Sequence, residues 1–384
     1  MRPELFEKTY RLRKYLQEIT INIEEDITEK EVLKRWFPYT PQKKYLFSIA
    51  EDGSFNKKHY LGFYLYSVAG YAVGFKENGE TVEEFAGDIG ITVIKKTDVV
   101  DSYLKMLMFL LELKALIRLA EREKPPVLIL DGTLSGRFIT FFPKTDWFTS
   151  EEFEGKLAKL ASEYIPILKE NLLKEDITAF SDTFRMSLEE KLASILGKKG
   201  ERRDVIEAAL SKVAYFEYLL LLHKLFYGLD WNPLIIGIAK TSHNTEIFNR
   251  PIPDIRLFYK YIDETGYSPG FYINLEEKKW EFSEIFDYIE KEISTGLKDT
   301  QIRYFYGKYD KGKHISLIEV YENPLRETPD IEEILDILSY YSVNGYPFLL
   351  KKADNEVRIT FKDMEIIENL LDLKREIHGR EILK

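Results

Sequence analysis

The chain contains no cysteine. Disulfide bridges, thiolate zinc sites and cysteine nucleophiles are therefore excluded. Glutamine is almost as scarce, occurring only at Gln17, Gln42 and Gln301. Long apolar runs are missing too. The longest, Leu104 to Ala120, is interrupted by Lys105, Glu112 and Lys114 and is too short to cross a bilayer. The start, Met1-Arg-Pro-Glu-Leu-Phe-Glu-Lys8, has no apolar signal core. These absences lead us to expect a cytoplasmic protein with no membrane partner. No repeat, low-complexity tract or linker stands out, so one elaborated domain over residues 1–384 is expected. Gly197-Lys-Lys-Gly200 is too short for a phosphate-binding P-loop.

What is present is a 384-residue chain that is 45% hydrophobic, ample for a large core. Charged residues reach 31%. Together with the missing cysteine and rare glutamine, that is the bias of heat-adapted proteins. The formal net charge of -10 argues against a uniformly nucleic-acid-binding surface. The field that matters is local, however. Basic clusters occur at Lys57-Lys58-His59, at Lys198-Lys199 with Arg202-Arg203, at Lys308 with Lys311 and Lys313, and at Lys351-Lys352. Each reads first as a solvated face.

Residues 3–35 read as helical and polar, ending before Pro38 and Pro41. A strand signal over Lys44–Asp52 follows. His59 to Phe75 is rich in aromatic and β-branched residues and reads as one or two antiparallel strands. Glu77-Asn-Gly-Glu80 is a turn, and Asp88–Ile94 another strand. Thr97 and Asp98 are good caps for a helix to about Arg122, which Pro125-Pro126 stops before a strand over Val127–Asp131. This β-β-β-α-β order opens an RNase H-like mixed sheet with flanking helices. Doubly wound nucleotide folds alternate strand and helix from the start instead. A helical stretch of about 151–228 reads as a large insertion, between core segments of about 44–142 and 233–360. Leu234–Lys240, Ile302–Tyr306 and Ile315–Tyr321 are further strand signals. Asp330–Tyr341 and Phe361–Ile382 are helical.

Two stretches share one design. Lys44 to Asp52 and Val127 to Asp131 are each a β-prone run ending in an aspartate followed by glycine. Asp-Gly after an apolar run also reads as a plain turn. On adjacent strands, though, the two aspartates would converge on a crevice. A third acid, Glu112, lies on the intervening helix, where its one-turn neighbours Met108, Phe109, Ala115 and Leu116 are all apolar. An ionised carboxylate there is costly unless something compensates it. Asp52, Glu112 and Asp131 form the ordered set that an RNase H-like fold uses to hold two metal ions, with a fourth ligand late in the chain. Such carboxylates suit Mg²⁺ and Mn²⁺, and paired ions serve in-line displacement at phosphorus. Leu130-Asp131-Gly132-Thr133 also matches part of a haloacid-dehalogenase phosphatase motif. The nucleophilic aspartate that motif needs is replaced by Ile129, so that chemistry is excluded.

Ile49-Ala-Glu-Asp52-Gly-Ser54, Glu112, Leu130-Asp131-Gly132, Ala239-Lys240-Thr241-Ser242 and the run from Gly345-Tyr346-Pro347 to Ala353-Asp354 together resemble the NurA family. These are archaeal and bacterial nucleases of DNA end processing. The resemblance spans Ile49 to Ile359. It implies an RNase H-like, manganese-dependent nuclease, with magnesium as the other candidate ion, acting on single-stranded DNA and duplex ends. It implies a homodimer docked to HerA, a hexameric ATP-driven DNA translocase. By matching motifs, Asp52, Glu112 and Asp131 would be metal ligands, and Tyr346 and Asp354 would complete the site. Many relatives carry histidine where Asp354 stands; aspartate serves the same metals. Lys240, at a strand end before Thr241 and Ser242, is a candidate for holding the scissile phosphate, with Ser242 beside it. The rival expectation is a non-catalytic DNA-end or translocase-binding subunit that keeps the fold and loses the chemistry.

Overall fold

The computed structural model describes residues 3–24, 27–138, 142–275, 288–312 and 314–373. Helix α1 (Pro3–Glu24) leads into strands β1 (Phe37–Pro38), β2 (Ser48–Tyr60), β3 (Phe63–Phe75) and β4 (Thr81–Thr92). Helix α2 (Val100–Glu123) then crosses to β5 (Val127–Asp131), which runs into the short α3 (Leu134–Phe138). The helical stretch ends with α4 (Arg203–Tyr227) and is followed by β6 (Leu234–Ala239). Later come β7 (Gly266–Tyr267), β8 (Phe271–Asn274), β9 (Gln301–Lys308) and β10 (Ser316–Tyr321). The chain continues through α5 (Ile331–Tyr340), a ribbon of β11 (Ser342–Val343) and β12 (Tyr346–Pro347), then α6 (Phe348–Val357) and α7 (Phe361–Leu370).

The main sheet has the order β1-β7-β9-β10-β6-β5-β2-β3-β4, with β8 on β9. β2, β3 and β4 form an antiparallel meander, while β5 is parallel to β2 and β6 is parallel to β5. The long crossover between β2 and β5 is what a parallel pair requires. Both faces are covered. One core packs α2, α4 and their neighbours against Ile49, Leu128 and Leu130. The other packs α5 and the start of α6 against Ala50, Val127 and Ile129. Because strand side chains alternate, Glu51 and Gly53 share the α2 face with Ile49, whereas Asp52 shares the α6 face with Ala50.

Several expectations need adjusting. β2 runs to Tyr60 rather than stopping near Asp52, because its backbone pairs with β3 as far as Tyr60↔Phe63 whatever the polarity of the side chains. Thr97 and Asp98 do not cap α2. They form a 3-10 turn over Thr97–Val99, and no side-chain cap bond is made. Lys308 is buried, and its ammonium ties the carbonyls of Ile262 (3.3 Å) and Asp263 (2.8 Å) instead of facing solvent. The expected Phe361–Ile382 helix is seen as α7, capped by the Thr360 hydroxyl accepting from the Asp363 amide. Its part beyond residue 373, and Lys313 of one basic cluster, lie outside the described residues.

The sheet is adapted to α2 at one point. Gly53 and Gly70 are direct partners in the β2–β3 ladder. A Cβ at Gly70 would overlap the backbone of Leu111 and Glu112, and one at Gly53 would overlap the Glu112 carboxylate. The glycine pair therefore brings α2 onto the sheet at the level of Glu112. Backbone cannot yield as a side-chain tip can, so Gly70→Ala should destabilise by about 1–3 kcal/mol or more. Chemical denaturation measures this; an unchanged midpoint would contradict the packing described.

Candidate metal centre

β5 ends at Asp131, and Gly132 turns the chain with φ 85°, a conformation that favours glycine. The Gly132 amide still donates to the Ile238 carbonyl at 2.9 Å, holding the turn against β6. Glu51 is level with Leu130 in the β2–β5 ladder, so Asp52 and Asp131 are the next residues on each strand. The side-chain alternation puts both on the α6 face, just past the last paired residues of the β2–β5 ladder, with Asp131 ending β5 and Asp52 lying within β2. The Tyr346 hydroxyl donates to Asp131 Oδ1 at 2.6 Å. Lys240, the residue after β6, places its ammonium 3.5 Å from the same oxygen and over the Tyr346 ring at 4.6 Å. Burial, and then Asp131, push the Tyr346 phenol far above its ordinary range, so it stays a proton donor.

On the opposite face stands a buried cluster that sequence reading missed. The Arg137 guanidinium, on α3, pairs with Glu112 through Nη1. Its Nη2 reaches Glu51 at 2.7 Å and the Asp131 carbonyl at 3.1 Å. Arg137, Glu51 and Glu112 are all buried, at 2%, 0% and 2% exposure. One guanidinium thus faces two acids there, with Asp52 also buried and Asp131 close by. Burial, and then the neighbouring Asp131 and Glu112, push the Asp52 carboxyl up to about 8. Burial and Glu112 raise Glu51 well above the carboxylate range despite Arg137. Burial raises Glu112 as well, with Arg137 pulling the other way. Glu51 Oε2 has no hydrogen-bond partner.

The remaining candidates lie further out. Asp354, on α6, is half-exposed and accepts from Arg358 at 2.8 Å. Its charge adds to the rise of Asp52, less than those of Asp131 and Glu112. Ser242 does not face Asp131: its hydroxyl bonds the Tyr306 hydroxyl at 3.1 Å and accepts from the Asn244 amide at 3.1 Å, shaping the loop after β6. His314 packs edge-on against Tyr346 with ring centroids 5.6 Å apart. Burial and then Lys240 lower its pKa.

Among the described residues, no three acidic or histidine side chains already close on one point. The donors nevertheless fit a hard divalent cation: they are carboxylate oxygens, negative charge is in excess, and one buried carboxylate oxygen lacks a partner. Glu51 was present in the Ile49–Ser54 run, but its burial shows only once both sheet faces are known to be covered. Arg137 carried no periodic signal at all.

Acids gathered where the parallel β2–β5 ladder stops, above a buried guanidinium, define a candidate divalent-cation centre in a mixed α/β protein. The NurA domain model matches residues 49–359, and the chain belongs to the NurA family. It is 29% identical to the "Probable DNA double-strand break repair nuclease NurA" of Methanocaldococcus jannaschii, over 93% of this chain and 86% of that one. It shares its fold with the crystal structure of NurA with manganese, at a TM-score of 0.66 and 17% identity, covering 96% of this chain and 99% of that one. The structure of NurA bound to dAMP and manganese superposes with a TM-score of 0.61 at 18% identity, covering 97% and 98%.

The raised Asp52 carboxyl has a consequence for stability. Between its ordinary value of 3.8 and about 8, the folded state keeps a proton that the unfolded state has lost. Stability of the metal-free protein therefore falls as pH rises through this window. Asp52→Asn removes the penalty. Its melting temperature should match wild type at about pH 4 and exceed it increasingly up to about pH 8.5. Melts in chelator across this range test it; a gain independent of pH would contradict the environment described.

Proposed function

We propose that the chain is a manganese-dependent deoxyribonuclease that hydrolyses phosphodiesters at DNA ends during double-strand break repair. The observation that carries this is the placing of Asp52 and Asp131 at one level and on one face of adjacent parallel strands, where their ladder stops. The family membership and the names of the relatives support the substrate and the repair setting. The fold reading is RNase H-like, supported by the order β4-β3-β2-β5-β6 with a leading antiparallel meander. The same reading takes the chain as one elaborated domain, with the helices of about 151–228 inserted between β5 and β6, two strands that pair directly.

Asp52, Glu112 and Asp131 would hold manganese, or magnesium, with two ions the proposed number. Asp354 would join them on leaving Arg358. Bound divalent ions neutralise phosphate charge and lower the pKa of a water so that hydroxide is available near neutral pH. The protein's own groups do the rest. Tyr346 keeps Asp131 oriented by donating to one of its oxygens, leaving the other for a ligand. Lys240 is half-exposed with its ammonium at Asp131, where it is placed to meet an incoming phosphate. Ser242 fixes the loop that follows Lys240.

A homodimer working with a HerA-type translocase in the cytoplasm is the proposed setting. Leu5, Phe6, Tyr10 and Leu12 are exposed on α1 and supply apolar surface for a protein contact. No helix among the described residues is long and apolar enough to cross a membrane.

The purified protein should degrade linear and single-stranded DNA when Mn²⁺ is added. Asp52→Ala or Asp131→Ala should lower the rate by roughly 10²–10³ or more while remaining folded. If both variants cut as fast as wild type, the reading is wrong. Tyr346→Phe loses one oriented bond to a candidate ligand and should cost about 10–100-fold in activity or metal affinity. Parallel digestion of labelled RNA, hybrid and DNA checks the assignment to DNA.

A further inference from the structure

We infer that Arg137 is the positioning residue of the carboxylate centre, fixing Glu112 so that one of its oxygens is presented to a divalent cation. The inference rests on the reading of Glu112 as a ligand and adds a residue to it. The two oxygens of Glu112 have different surroundings. Oε2 accepts from Arg137 Nη1. Oε1 lies against Gly53, the residue after Asp52, in the space a Cβ would otherwise fill. A carboxylate held through one of its oxygens by a neighbouring donor is how a ligand is pre-oriented.

Arg137 is itself rigidly placed. At the start of α3, the Ser135 amide and hydroxyl donate to Glu319 at 2.7 and 2.8 Å. The Gly136 amide donates to the Thr133 hydroxyl at 3.1 Å. The Arg137 carbonyl accepts from the Tyr218 hydroxyl, on α4, at 2.5 Å. The guanidinium stacks over Phe109, on α2, 4.1 Å from the ring centroid. Its fork then touches three of the pieces that must be aligned: Glu112 on α2, Glu51 on β2, and the Asp131 carbonyl on β5. A planar, five-donor group can do this at once; a lysine ammonium on a flexible stem cannot.

Charge and position make opposite predictions. If Arg137 only contributes positive charge, removing its fork leaves the centre equally or more attractive to a cation. If it positions Glu112, cation affinity falls. The test is Mn²⁺ affinity of the full chain, read from loss of the free-ion electron paramagnetic resonance signal, with circular dichroism confirming the fold. Arg137→Lys should weaken Mn²⁺ binding about 10–100-fold. Glu112→Gln should weaken it too. In the Glu112→Gln background, Arg137→Lys should add less than about twofold, because both changes act through one oxygen. Affinity that is unchanged or tighter in Arg137→Lys, or effects that multiply in the double variant, would overturn the inference. If Arg137→Lys does not fold, Glu51→Gln loosens the anchor of the guanidinium while keeping its shape. It should weaken Mn²⁺ binding severalfold in the wild-type background alone, and no change would overturn the inference equally. Wild type that binds no Mn²⁺, or Glu112→Gln that binds it normally, would instead defeat the ligand assignment of Glu112, and the inference with it.

Discussion

A shortage of positive charge governs this molecule. Glu51, Glu112 and Asp52 are buried where the β2–β5 ladder stops, and the buried guanidinium of Arg137 pairs with two of them, Glu51 and Glu112. Taking an ion out of water costs several kcal/mol, and one partner cannot repay three such costs. The protein alone answers by raising carboxyl pKa values, as Asp52 and Glu51 show. A divalent cation answers the same imbalance more directly. On the proposed function, strain and function would share one origin: the groups that make the folded chain less comfortable at alkaline pH are among those proposed to hold the metal.

The architecture exists to hold those charges at that point. The parallel β2–β5–β6 core sets Asp52, within β2, beside Asp131, the last residue of β5. The Gly53–Gly70 pair lowers α2 onto the sheet, so that Glu112 arrives from one layer while Asp52 and Asp131 project into the other. The helical insertion contributes through α4, whose Tyr218 fastens Arg137. The ribbon after α5 delivers Tyr346 to Asp131 from a position 215 residues further along the chain. Each contact joins distant segments, which is why no local segment carries the site by itself.

That distribution also explains what the sequence disclosed. Asp52 and Asp131 were legible because each terminates an apolar run and precedes a glycine. Glu112 was legible because its helical neighbours are apolar, and its burial at 2% exposure agrees. The succession of β2, β3, β4, α2 and β5 followed from local pattern and loop breakers. Arg137 was hidden because nothing near it in sequence indicates that its partners lie 25 and 86 residues away. Helix α6 went unread although Leu349, Ala353 and Val357 have helical spacing and are buried. Strands β1, β7 and β8 are too short to show a period and form through backbone pairing alone. Asp354 shows the reverse limit: a motif match placed it in the site, while its i,i+4 neighbour Arg358 holds its side chain at the rim.

The most direct measurement is anomalous diffraction at the manganese edge from crystals soaked in Mn²⁺. An anomalous peak between Asp52 and Asp131, within ligand distance of Glu112, is the predicted result. A peak bound elsewhere, with Asp52 and Asp131 untouched and Glu112 turned from both, would contradict the centre described.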